Sequence, residues 1–163
     1  IQGRPFLRNM EGPRRHERGR SGLGAEDPKR AMGSERQMVI VDSDILIQYS
    51  RYDDTAAAWL DETSDHETLV ISVITEIELI IGSRDKTHLN EVRKFLSQFE
   101  IIHIDDEISR LAPALIEKYY LSHRLKLPDA LIAATALVTD IELATINRKD
   151  FRYIDGLKLV DYP

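Results

Sequence analysis

The sequence predicts an α/β protein built as three layers, α/β/α, around a central and mainly parallel sheet. Two observations carry that prediction. From residue 38 onward, short apolar runs such as Val39-Ile40-Val41 alternate with helical patterns. Strands separated by helices imply parallel pairing, with helices covering both faces of the sheet.

Each element has its own signal. Residues 38–41 read as a buried strand and residues 44–49 as the helix that follows it. A second helix is expected over 54–64, a strand over 69–71, and a helix over 73–83 that stops near Gly82. Residues 89–99 form an amphipathic helix that runs into a strand over 101–104. The long helical pattern over 106–122 contains Pro113, whose missing N–H predicts a kink or a split. Pro128 suits the first turn of a helix over 128–139. A strand over 142–145, a helical turn over 148–151 and a last strand over 157–160 complete the pattern.

A chain of 163 residues fits one domain with a tail. Residues 1–37 hold six of the eight glycines, three of the six prolines and one aromatic, Phe6. Such a segment buries too little apolar surface to offset the entropy of ordering it. It reads as a disordered or non-native basic tail, with an RNA-touching arm as the alternative and Met38 as a plausible native start. The domain proper is then 38–163. Nine basic and five acidic side chains give the tail a net charge of +4, which leaves 13 basic and 23 acidic, a net of −10, for the domain. That acidity argues against simple duplex binding, for which a basic surface is expected. It weighs less against an enzyme whose cations bridge it to phosphate. The absence of cysteine excludes disulfides, thiolate metal sites and thiol nucleophiles, and suits a reducing cytoplasm. The longest uncharged apolar run, residues 130–139, is about half of the ~20 residues that a membrane-spanning helix needs. No apolar segment at the start resembles a secretory signal.

Four acids stand where acids are unexpected. Asp42 directly follows the buried run Val39-Ile40-Val41, although Asp42, Ser43 or Asp44 could simply cap the next helix. In Val73-Ile74-Thr75-Glu76-Ile77-Glu78-Leu79-Ile80, a wheel of about 100° per residue centres one face on Val73, Ile77 and Ile80. Glu76 falls inside that apolar arc and Glu78 on the opposite, solvent side; an exposed, snorkelling Glu76 is the bland alternative. Asp129 opens the apolar helix Ala130-Leu131-Ile132-Ala133-Ala134, where an acid also suits the helix dipole. Asp150 follows the strand over 142–145 and would by itself be a loop acid. All four lie near the carboxyl ends of strands or the starts of the next helices, where open α/β sheets bind ligands. Carboxylates gathered there raise one another's pKa. A hard divalent cation resolves the conflict, and Mg²⁺ prefers oxygen ligands. Such sites suit phosphodiester hydrolysis by an activated water.

The segments VIVDSDILI, SVITEIELIIG, LPDALIAATAL and TINRKDF resemble, in order and spacing, the four acidic motifs of PIN domains, particularly of VapC-type toxin ribonucleases. The resemblance spans Met38 to Pro163. It implies the PIN-like α/β/α fold, dependence on one or two Mg²⁺ or Mn²⁺ ions, and endonucleolytic cleavage of single-stranded or structured RNA leaving a 5′-phosphate. Asp42, Glu76 and Asp129 would be the main metal ligands and catalytic acids, with Asp150 as the fourth. Ser72, Thr145 and Asn147 would support them by hydrogen bonds. Asp44 departs from the usual Asn or small polar residue; it could join the metal shell, but is read here as a cap. The resemblance further implies a cytoplasmic homodimer held inactive by a cognate antitoxin.

Other residues carry weaker signals. His16, His66, His88, His103 and His123 lack metal-ligand spacing, and His103 reads as a core residue. Tyr49, Trp59, Tyr119 and Tyr120 read as core or dimer-face packing rather than a base-stacking platform. Arg124 and Lys126, just before Asp129, could meet an RNA phosphate, although solvated loop charge explains them as well. Two alternatives stand beside the nuclease. One is a haloacid-dehalogenase-type phosphatase with Asp42 as nucleophile, suggested by Asp42-Ser43-Asp44 but lacking a later Gly-Asp segment with a second acid. The other is a catalytically silent PIN module used for binding.

Overall fold

The computed structural model describes residues 36–163. The expectation of a basic tail falls almost wholly on residues 1–35, outside the described residues. The chain runs β1 (Met38–Val41), α1 (Ser43–Ser50), α2 (Asp54–His66), β2 (Thr68–Ser72), α3 (Val73–Ile81), α4 (Lys86–Leu96), β3 (Glu100–Ile102), α5 (Asp106–His123), α6 (Leu127–Thr139) and β4 (Glu142–Ala144). A 3₁₀ turn over Arg148–Asp150 follows.

The four strands pair in parallel in the order β3-β2-β1-β4. Strand side chains alternate between two cores, as a period of two requires. Val39, Val41, Leu69 and Ile71 pack with Ile45, Leu46, Trp59, Leu60 and Phe95 of α1, α2 and α4. Ile40, Val70 and Leu143 pack on the other face with Ile108, Leu115, Ile132 and Ala133 of α5 and α6. The predicted three-layer architecture is therefore the one observed. Strand order reverses between β1 and β4, and open α/β sheets form their ligand crevice beyond the carboxyl ends at such a point. Asp42 and Thr145 are the residues that leave those two strands. No helix among the described residues is long and apolar enough to cross a membrane.

Four sequence expectations change. Helix α5 is continuous through Pro113 rather than split, because Pro113 lies on the exposed side. There, water can take the carbonyl that the proline leaves unpaired. The last strand, expected over 157–160, reduces to a single bridge between Leu143 and Leu159. Strand β3 ends at Ile102, and His103, expected in the core, is exposed. A three-residue edge strand gives the alternation too little length to bury its end. Finally, the apolar face predicted for α3 is not the buried one: Thr75 and Leu79 are buried, while Ile77 is 44% exposed and Ile81 76%. Valine or isoleucine at 73, 74, 77, 80 and 81 spreads apolar surface around most of this helix, so periodicity alone does not choose its inner face.

Candidate metal centre

Each acid reaches the crevice by a local device. Asp42 leaves β1 as the N-cap of α1, its Oδ1 accepting the Ser43 N–H at 2.7 Å. It is only 6% exposed. Burial, followed by the charge of Asp44 and with a further contribution from Glu78, pushes its carboxyl up to about 7. Hydrogen bonds from Thr145 and the Ser43 backbone oppose that rise without cancelling it. An acid held this far above its ordinary value carries its negative charge at a cost, which a nearby cation would remove.

Glu78 is the acid of α3 that faces the crevice. It is half-buried, and its Oε2 accepts the Ser43 hydroxyl at 2.7 Å, across 35 residues of sequence. The expectation that Glu78 lies on the solvent side is thereby corrected. Glu76 is also half-buried, but it makes no hydrogen bond or ion pair among the described residues, and its charge is not among those that raise Asp42 or Asp129. The two glutamates flank the buried pair Thr75 and Leu79 on opposite sides, each about 80° away on a helical wheel. Only Glu78 lies on the side of α1. No local sequence signal marks this choice, because it depends on where α1 packs.

Asp129 is the third residue of α6, after Pro128. Its carboxyl is held above the usual range first by burial, with Asp150 and Glu78 adding to the rise and Lys126 opposing it. Asp150, on the 3₁₀ turn, accepts a short hydrogen bond from Asn147 Nδ2. The charge of Glu78 adds a small part to the rise at both Asp42 and Asp129, and Asp129 also feels Asp150. Among the described residues no three acidic or histidine side chains are already closed around one point. The four acids meet through their fields rather than through contact.

The supporting residues have distinct roles. Ser72 is buried and caps α3, its Oγ accepting the Ile74 N–H at 3.2 Å. Asp44 is not the cap it was expected to be. Its Oδ2 accepts the Thr145 hydroxyl at 3.1 Å and the N–H groups of Ile146 and Asn147 at 3.0 Å each. It thus ties α1 to the loop that carries Asn147 and Asp150. Thr145 is buried, and its Oγ1 also accepts the Asn147 N–H at 3.1 Å. Asp44→Ala should lower the unfolding free energy by about 2–3 kcal/mol, because it leaves donors of this loop unpaired. Asp44→Asn, which keeps an acceptor oxygen, should cost less. Urea unfolding of both variants checks this, and equal stability of Asp44→Ala and wild type would exclude the clamp.

The donors fit a hard divalent cation. They are oxygens only, with no sulfur and no histidine ring among them. Asp44 Oδ1 is buried with no hydrogen-bond partner, and Asp42 is strained towards protonation by its neighbours. Both features mark surplus negative charge at one end of the sheet.

The PIN domain family model matches residues 39–157. "Ribonuclease VapC10" of Mycobacterium tuberculosis is 39% identical over 122 residues, covering 74% of this chain and 91% of that protein. "Ribonuclease VapC1" of Methanocaldococcus jannaschii is 30% identical over 139 residues, covering 82% and 94%. Among solved structures, a toxin–antitoxin complex from Klebsiella pneumoniae contains a chain of similar fold. That chain has a TM-score of 0.64 and 33% identity, with 77% of this chain and 98% of that chain covered.

Proposed function

The chain belongs to the PIN-domain family, and on that premise we propose that it is a VapC-type endoribonuclease, the toxin of a toxin–antitoxin pair, with Asp42, Glu78, Asp129 and Asp150 around one or two divalent cations. One observation carries the site: Glu78 accepts the hydroxyl of Ser43, the residue whose N–H holds the buried Asp42 carboxyl. The acid of α3 is therefore Glu78 in place of Glu76. Asp42, Glu78, Asp129 and Asp150 would hold Mg²⁺ or Mn²⁺ there, which when bound would lower the pKa of a water and offset charge on an RNA phosphodiester. The chain's own residues do the rest. Asp42 and Glu78 are oriented by Ser43, Asp150 by Asn147, and the loop carrying Asn147 by Asp44. Hydrolysis joins the water oxygen to phosphorus and breaks the bond to the 3′-oxygen, leaving a 5′-phosphate.

Family membership displaces the phosphatase alternative, and a silent binding module is disfavoured because all four acidic positions are filled. The Klebsiella complex supports a cognate antitoxin as partner, and we extend the proposal to a homodimer. Digestion of single-stranded RNA with Mg²⁺, with Mn²⁺ and with EDTA tests the reading. Cuts that bear 5′-phosphates and vanish in EDTA are expected. Undiminished cutting in EDTA, or ends bearing 3′-phosphates, would overturn it.

A further inference from the structure

An aromatic wall stands beside the acids, and the reaction proposed above does not use it. Tyr153 lies three residues beyond Asp150. Its hydroxyl is held above the usual range by burial and then by the charges of Asp150 and Asp129, so it stands in the field of both. His123, the last residue of α5, lies flat against it, with ring centroids 3.8 Å apart and planes 16° from parallel. Tyr119, one turn earlier, closes on Tyr153 from the side at 5.3 Å and 55°. Tyr119 is itself fixed, because its hydroxyl accepts the Asp155 N–H at 3.0 Å. The Ser122 hydroxyl pairs with His123 Nδ1 at 2.8 Å.

The imidazole is therefore held in one plane, yet His123 is exposed. Tyr153 covers one face of the ring and Tyr119 meets it edge-on at 6.1 Å and 70°, so its exposure falls on the opposite face and the remaining edge. Arg124 follows directly, its guanidinium over the Tyr120 ring at 5.6 Å, and the charge of Lys126, two residues further on, reaches Asp129. A fixed, open aromatic face beside cations, next to acids that would hold metal, has the elements of a single-strand binding surface. Such surfaces pair positive charge along the backbone with rings on which bases stack.

We propose that the open face of His123, backed by Tyr153, is a shelf on which one nucleobase of single-stranded RNA stacks while a neighbouring phosphodiester meets the acids. This rests on the ribonuclease reading. Stacking needs only a π-face, so the shelf would position RNA without reading its sequence. His123 is a positioning residue, distinct from the acids in what its loss should change.

The test uses the full chain carrying Asp42→Asn, so that RNA is held without being cut. The probe is a single-stranded 12-nucleotide RNA with 2-aminopurine at each position in turn. A position next to the bond that wild type cuts in this RNA should be quenched on binding. Adding His123→Ala should abolish that quench and weaken binding about tenfold, within the range expected for losing one stacked base. Adding His123→Phe should preserve both quench and affinity, which a role in capping α5 or in carrying charge would not allow. An abasic nucleotide at the quenched position should make His123→Ala nearly silent. Additive losses, or failure of Phe to substitute, would overturn the shelf. RNA that wild type binds but never cuts would overturn the nuclease reading alone, and absence of RNA binding would overturn both.

Discussion

Asp42→Asn is expected to reduce RNA cleavage by roughly 10²–10³-fold or more, the scale of removing a group that stabilises developing charge, while the metal-free protein becomes more stable near neutral pH. The two effects share one cause. Asp42 is buried beside Asp44 and Glu78, and its carboxyl sits at about 7 rather than 3.8. A raised carboxyl binds its proton more tightly folded than unfolded, so its favourable contribution is complete below about pH 4 and is lost as pH rises through 7. The full span amounts to roughly 4 kcal/mol, an upper bound because relaxation and water entry reduce it. The asparagine variant removes this penalty and retains an acceptor for the Ser43 N–H. Thermal unfolding from pH 4 to 8 without metal should show wild type losing stability across that window relative to Asp42→Asn. Parallel pH profiles would mean that the carboxylate is not under strain.

The second large effect separates two glutamates that stand two residues apart. Glu78→Gln should lower cleavage by about 10²-fold or more, because the site loses the carboxylate held beside Asp42 through Ser43. Glu76→Gln should change cleavage less than about threefold, and neither variant should unfold. Cleavage rates on one RNA, with circular dichroism as a fold control, decide between them. A larger loss in Glu76→Gln would restore the residue that the helical wheel selected.

That pair also shows where sequence reading stopped. Strands β1 and β2 were legible because a strand covered by helices on both faces is apolar without interruption, and Val39-Ile40-Val41 is. Asp42 and Asp129 stand out as candidates because each adjoins such a buried run. Helix α3 was legible as a helix but not in its orientation, because isoleucines lie nearly all round it. A cap is a local event and is what the sequence around Asp44 predicts, whereas its partners lie about a hundred residues away on the β4 loop. His103 was placed inside because its neighbours are apolar, but β3 is an edge strand that stops before reaching it. The His123–Tyr153 pair joins residues 30 apart in sequence and left no periodic trace.

The most direct measurement is calorimetric titration of Mn²⁺ into wild type, Glu78→Gln and Glu76→Gln at a pH above 7, where Asp42 is ionised. Convergence of Asp42, Glu78 and Asp129 on one ion predicts binding to wild type, binding at least about tenfold weaker to Glu78→Gln, and unchanged binding to Glu76→Gln. The same affinity in all three proteins, or no binding to wild type, would contradict it.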